Sequence, residues 1–197
     1  MGLMSGYDGA LPNPRGVKLT YDDFVLFTDD GLRHELIDGE HYVTPSPNDK
    51  PQTILVNLLL LIGPWVRAHA TGKVWLAPFD AILSPSDVVE PDLLYVSNER
   101  RAQIVTAANV QGTPELVVEI GSPGTRRRDE TTKRALYERA GVSEYWVVDT
   151  EREVVRVYRR FRKRFAPPED LSLKAGDVLR PPLLQGLELP ISEIFRE

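Results

Sequence analysis

Between residues 52 and 70 the apolar side chains fall at Leu55, Leu58, Leu59, Ile62 and Val66, the spacing of an amphipathic helix. Its apolar face is wide, which predicts burial against a sheet, and Pro64 is expected to kink or interrupt it. Upstream, Thr20 is placed to cap a short helix through Phe27, with Asp23 in the capping-box position. RHELIDGEHYV then reads as two short strands around Asp38-Gly39, a pair that favours a tight hairpin turn. Val74 to Leu83 and Asp92 to Val96 read as extended, and residues 98 to 113 leave room for a short helix. The most legible unit follows. Leu116 to Ile120 is a strand, GSPG a turn, and Thr125 to Ala140 a helix that Gly141 can stop. Glu144 to Val148 is the next strand, so the unit predicts a right-handed crossover and a sheet covered on at least one face. Val154 to Tyr158 adds another strand, and the apolar LELPISEIF is expected to pack back onto the body.

One position breaks the pattern. Glu119 sits among Leu116, Val117, Val118 and Ile120, where an ionised carboxylate is costly unless paired or bound to a cation. Pro91-Asp92 precedes another strand-like run, and if the two strands are neighbours both carboxylates converge near one end of a sheet. Two hard oxygen ligands, a backbone carbonyl and waters suit magnesium. On the following helix Asp129, Lys133 and Tyr137 are spaced four apart and share a face. A lysine there could reach the strand end carrying Glu119 and, beside a divalent cation, orient a water and stabilise charge on a phosphate. The same spacing also fits an ordinary Asp129–Lys133 surface pair. Glu35 is open to a site role or to pairing with Arg33, and Asp80 to a supporting or a turn role. Tyr137, Tyr145 and Trp146 read as packing, and Asp149 as a turn or cap residue.

Composition narrows the field. The 197 residues, 42% hydrophobic and 27% charged, suit one domain, taken as residues 17–197, behind a disordered segment over 1–16. With no cysteine, disulfides, thiolate metal sites and cysteine nucleophiles are excluded. The N-terminus lacks the pattern of a secretory signal, and ILVNLLLLIGPWV is too short to span a bilayer. A soluble, cytoplasmic protein is expected. The formal charge of −5 argues against non-specific coating of nucleic acid. Two basic islands stand against that average, RRRDETTKR (126 to 134) and RRFRKRF (159 to 165), each open to a solvated face or to phosphate binding. No phosphate-binding glycine loop, dinucleotide motif or serine elbow is present.

HELIDGE, VEPDLLYVS and ELVVEIGSPGTRRRDETTKRALYERAGVSEYWVVDT together resemble the Uma-two family, assigned as restriction endonucleases within the PD-(D/E)XK nuclease superfamily. The resemblance spans residues 20 to about 160. It implies an α/β (α+β) restriction-endonuclease-like fold, a central mixed sheet flanked by helices. It also implies metal-dependent phosphodiester hydrolysis of nucleic acid, DNA foremost, by a homodimer. Asp92, Glu119 and the Ile120 backbone carbonyl would hold Mg2+ or Mn2+, with Asp80 a further candidate ligand. The superfamily lysine two residues beyond the acid falls here on Gly121, a departure; in the Uma-two pattern the following helix supplies it, at Lys133. Glu35 matches the family's N-terminal glutamate and completes a catalytic set of Asp92, Glu119, Lys133 and Glu35. Arg126, Arg127 and Arg128 open the helix where backbone N–H groups favour anions, and are candidates for a flanking phosphate. Pro51 replaces a histidine common in the family, and His34 reads as structural. The alternative is a catalytically silent nucleic-acid-binding or interaction module that has kept the fold.

Overall fold

The computed structural model describes residues 11, 16–27, 30–44, 49–121 and 124–197. Most of the N-terminal segment expected to be disordered, the PSPN stretch and the centre of the GSPG turn lie outside the described residues. Helix α1 (Tyr21–Phe24) starts at Thr20, whose backbone N–H and hydroxyl donate to the Asp23 carboxylate at 2.8 and 2.9 Å. Strands β1 (Arg33–Ile37) and β2 (Glu40–Thr44) form the expected hairpin. Its turn residues Asp38 and Gly39 have φ of 54° and 76°, as a tight primed turn requires. Helix α2 (Asp49–His69) continues through Pro64 rather than breaking. Pro64 lies on the exposed side, where water can take the carbonyl bond that proline leaves open.

The run expected as one extended segment is two strands, β3 (Gly72–Leu76) and β4 (Ala81–Ser84), in different sheets. Pro78 falls between them and cannot donate into a ladder. Next come β5 (Asp87–Val89), β6 (Leu93–Ser97), α3 (Asn98–Ile104) and β7 (Val110–Gln111). After β8 (Leu116–Gly121) the chain forms α4 (Arg126–Arg128), a π-helical turn over Asp129–Lys133, and α5 (Arg134–Ala140). Gly141 stops this helix with φ 98°. Then follow β9 (Glu144–Asp149), β10 (Val154–Phe161), β11 (Arg164–Phe165), β12 (Glu169–Ser172), β13 (Val178–Leu179), β14 (Leu189–Pro190) and α6 (Ile191–Ile194).

The large sheet has the order β11-β10-β9-β8-β6-β3, with β12 also on β10. It is mixed: β8 and β9 are parallel, as the helical crossover demands, and their other neighbours are antiparallel. A second sheet, β2-β1-β5-β4-β7, carries the hairpin. Both faces of the large sheet are buried. On one, Leu93, Leu116, Val118 and Trp146 pack on Ile54, Leu58, Ile62 and Val66 of α2 and on the tail residues Leu189, Ile191 and Ile194. On the other, Leu94, Val117, Tyr145 and Val147 pack with Leu136 and Tyr137 of α5 and Ile37 of β1. The terminal segment thus folds back as its pattern predicts. Among the described residues no helix is long and apolar enough to cross a membrane.

Candidate active site

The site grows from the two-residue period of β8. Leu116, Val118 and Ile120 point to the α2 side, and Val117 points to the α5 side. Glu119 shares the face of Val117, so its carboxylate enters a layer closed by a helix. Leu93 pairs with Val118 across the antiparallel β6–β8 ladder, which sets Asp92 beside Glu119 at the strand ends.

Lys133 Nζ donates to Glu119 Oε1 at 2.9 Å and to Glu35 Oε1 at 2.8 Å, and the Tyr137 hydroxyl donates to Glu119 Oε1 at 2.6 Å. Lys133 is only 2% exposed and Glu35 fully buried, so this lysine does not form a surface pair. The π turn widens the helix at this point, and Asp129 and Lys133 within it, like Tyr137 beyond it, are all buried. Gly121, where the superfamily lysine would stand, faces the same helix. A Cβ there would stand in ordinary van der Waals contact with Arg126 Cα and Asp129 Oδ2, each 3.5 Å away.

Glu35 arrives from β1. Its Oε1 also accepts the Glu90 backbone N–H at 3.1 Å, and its Oε2 is 4.0 Å from Arg128 Nη2, with no hydrogen-bond partner. Arg33 is not its partner. The guanidinium instead spans to Glu90 Oε1 and Asp92 Oδ1, both at 2.8 Å. The remaining Asp92 oxygen, Oδ2, accepts the Ile120 backbone N–H at 2.7 Å.

Around this point Glu35, Glu90, Asp92, Glu119 and Asp129 face Arg33, Arg128 and Lys133, an excess of acids over cations. Burial disfavours the Lys133 ammonium, but Glu119, Glu35 and Asp129 outweigh it and hold the lysine protonated. Burial raises the Glu35 carboxyl, but Lys133, Arg128 and the Glu90 N–H together outweigh it, and the carboxyl is lowered. Glu119 fares differently. Burial pushes it up to about 8, because the shared ammonium is offset by the negative charge of Asp129, Asp92 and Glu35. Asp129 is pushed up to about 6, again chiefly by burial. One ammonium cannot neutralise two carboxylates, and Glu119 carries the deficit.

That deficit fixes a sign for stability. Between about pH 4.5 and 8 the folded state retains a proton on Glu119 that the unfolded chain has released, so the contribution of Glu119 to metal-free stability is greatest on the acid side and falls as pH rises. Glu119 contributes a slope of at most about 1.4 kcal/mol per pH unit. Urea titrations of the parent and of Glu119→Gln between pH 5 and 8 measure it, and equal slopes in the two proteins would contradict the assignment.

Of the other expected residues, Asp80 is partly buried and close enough for the charge of Glu35 to add to the upward shift that burial causes. The three arginines do not form one exposed set. Arg126 pairs with Asp149 Oδ2 at 3.0 Å, and buried Arg128 donates to Thr44 Oγ1 at 2.6 Å, leaving Arg127 as the exposed member. Arg128 turns inward because its neighbours include the buried Glu35. His34 lies in a separate cluster, hydrogen-bonded to His41 at 2.8 Å and to Asp30 at 2.9 Å. Sequence reasoning missed Arg33, Glu90 and Asp129 as members of the site and read Tyr137 as packing. The four-residue spacing of Asp129, Lys133 and Tyr137 was the available signal for two of them.

Among the described residues no group of three histidine, aspartate or glutamate side chains is disposed as a ready cation cage. The donor chemistry nevertheless suits a hard cation. Glu35 Oε2 is buried without a hydrogen bond, and the hydrogen bonds of Glu119 all converge on Oε1. Each Asp92 oxygen accepts one hydrogen bond, from Arg33 and from the Ile120 N–H, and each keeps a lone pair for a cation.

The family model described as "Putative restriction endonuclease" matches residues 21–192. A crystal structure of "a putative nuclease" from Anabaena variabilis ATCC 29413 is similar over 90% of this chain and 97% of that one, with a TM-score of 0.73 at 19% identity. At that identity the likeness speaks for the fold. No curated protein matches the chain.

Proposed function

We propose a function from one premise: the chain belongs to the Uma-two family, described as "Putative restriction endonuclease". The protein hydrolyses phosphodiester bonds of nucleic acid, DNA foremost, with magnesium or manganese. The observation that carries this reading is the Lys133 ammonium held between Glu35 and Glu119 where the strand bearing Glu119 meets Asp92. When bound, the cation supplies a Lewis acid that polarises the phosphate and activates a water. Asp92, Glu119 and the Ile120 carbonyl would hold it, with Asp80 in support. Lys133 positions the attacking water or stabilises charge developing on the phosphate. Glu35 fixes the ammonium from the far side, and Tyr137 fixes the carboxylate of Glu119. A cleavage assay on single-stranded, duplex and branched substrates with magnesium and manganese tests this. Metal-dependent products are expected, and their absence on every substrate would overturn the enzyme reading.

The Arg33 guanidinium, which already supplies a positive charge to Asp92 at 2.8 Å, favours a second reading, a silent nucleic-acid-binding module. It predicts binding without cleavage under every metal condition. We further propose a homodimer. The tail is buried against α2, so the supporting surface is the outer stripe of that helix, where Val56 is 51% and Leu60 65% exposed. Light scattering at micromolar concentration is expected to give about twice the monomer mass of 22.2 kDa. A monomer mass would contradict the dimer.

A further inference from the structure

Strand β10 carries two kinds of basic residue. Those in its body are committed to the fold. Arg156 is bidentate on Asp170, with both bonds at 2.7 Å, and lies 3.2 Å from Glu130. Arg159 joins Glu144 and Glu169, and Arg160 donates to the Val142 and Glu138 carbonyls. The residues at the tip of the β10–β11 hairpin differ. Arg162, Lys163 and Arg164 are exposed and make no ion pair among the described residues. Phe161 beside them is 68% exposed, the most open aromatic ring among the large hydrophobics of the described residues, with the Arg162 guanidinium 5.4 Å from its centroid.

We infer that this hairpin tip is a nucleic-acid anchor separate from the cleavage site. The inference rests on the nucleic-acid reading above and deepens it. Three free cations within three residues, on a chain of net charge −5, mark one place where a polyanion gains contacts without displacing an internal partner. An exposed ring with a cation over one face leaves the other face for a base, the combination found in platforms that bind single strands. The strand body holds the tip firmly. Arg160 pairs with Phe165 in the ladder, Phe165 is buried, and its N–H bonds to Glu138 of α5 at 2.8 Å. Arg156 pairs with Val147, and Val147 with Glu119, so the tip stands roughly 20 Å from Glu119 by strand spacing. That distance explains why the tip belongs to substrate retention rather than to chemistry. Single-stranded segments or frayed ends are the preferred ligand, because only there is a base free to meet Phe161.

The test is fluorescence anisotropy with a labelled single-stranded oligonucleotide, in EDTA, across a salt series, for the full chain. The triple variant R162N/K163Q/R164Q removes three charges; asparagine is chosen at 162 because that residue has φ 57°. The slope of log affinity against log salt is expected to fall by about two in magnitude. Phe161→Ala is expected to weaken single-strand binding about tenfold, with less effect on blunt duplex. Melting curves check that both variants are folded. Parent-like affinity and slope in the triple variant would overturn the anchor. Binding of the parent to anionic phosphatidylserine vesicles but not to the oligonucleotide would overturn it too, in favour of a membrane contact. Binding is read without metal or cleavage. The anchor therefore survives if the nuclease chemistry fails, and fails alone if cleavage persists with parent-like binding in the tip variants.

Discussion

Lys133→Ala is expected to lower metal-dependent cleavage by about 10²- to 10⁴-fold, the range for loss of a positioned catalytic group. Its effect on metal affinity should have the opposite character. The ammonium stands between Glu35 and Glu119, so its removal leaves the local carboxylates with less positive charge and cation binding unchanged or tighter. Stability in the absence of metal should fall, because breaking a buried pair leaves uncompensated charge at a cost of about 3–5 kcal/mol. A surface Asp129–Lys133 pair would instead lose roughly 0.5 kcal/mol or less and keep full activity. Since both a catalytic and a structural lysine predict instability here, the deciding measurement is turnover of folded protein, assayed with saturating metal well below the melting temperature. Lys133→Arg separates the roles further, since arginine keeps the charge but cannot readily shed a proton. Partial cleavage in that variant points to electrostatic stabilisation, and none to proton transfer or a strict geometric need. Parent-like cleavage by folded Lys133→Ala would remove the mechanism altogether.

How far the residues themselves announced this site depends on which physical rule placed each one. The β8–helix–β9 crossover was legible because apolar strands around an amphipathic helix admit few arrangements, and Asp92 and Glu119 followed from two neighbouring strands. The three-residue contact of Lys133 with Glu35 and Glu119 was not legible. It needs β1, from the other sheet, to reach the helix face, and nothing in local periodicity reports how two sheets meet. The family pattern named Glu35 and Lys133, but spacing alone left Lys133 open to the site or to a surface pair with Asp129. The π turn is a second reason, since it alters the helix at Asp129–Lys133 without any glycine or proline to signal it. Arg33, weighed in the sequence only as one possible partner of Glu35, pairs elsewhere for a related reason. Two residues apart on one strand, it and Glu35 share a face, yet the long arginine reaches Glu90 and Asp92 while Glu35 is drawn under the helix. The three arginines from 126 to 128 show the limit of reading a charge run as a surface. Burial of Arg128 is set by where Glu35 and Thr44 lie, not by its neighbours in sequence.

Glu119→Gln is expected to separate stability from function in one substitution. Burial and the surrounding acids make the ionised Glu119 unfavourable at neutral pH, and a neutral amide of the same shape relieves that cost. The Lys133 ammonium keeps Glu35, at 2.8 Å, so the variant does not strand a buried cation. At pH 8 metal-free Glu119→Gln should therefore match or exceed the parent in urea-unfolding stability, while at pH 5, where the parent already holds the proton, the advantage should disappear. Metal binding should move the other way. An amide is a poor partner for a hard divalent cation, so manganese affinity by calorimetry should fall at least about tenfold, and cleavage with it. The parent should gain thermal stability when magnesium or manganese is added, because a ligand of the folded state shifts the equilibrium by mass action, and the variant should gain much less. Asp92→Asn provides the contrast. It should also lose metal affinity, but it weakens the Arg33 contact at 2.8 Å and the bond from the Ile120 N–H at 2.7 Å, so it should lose stability at both pH values. A protein in which both variants bind manganese like the parent has its cation elsewhere, and the pairing of Asp92 with Glu119 would then be a feature of the fold alone.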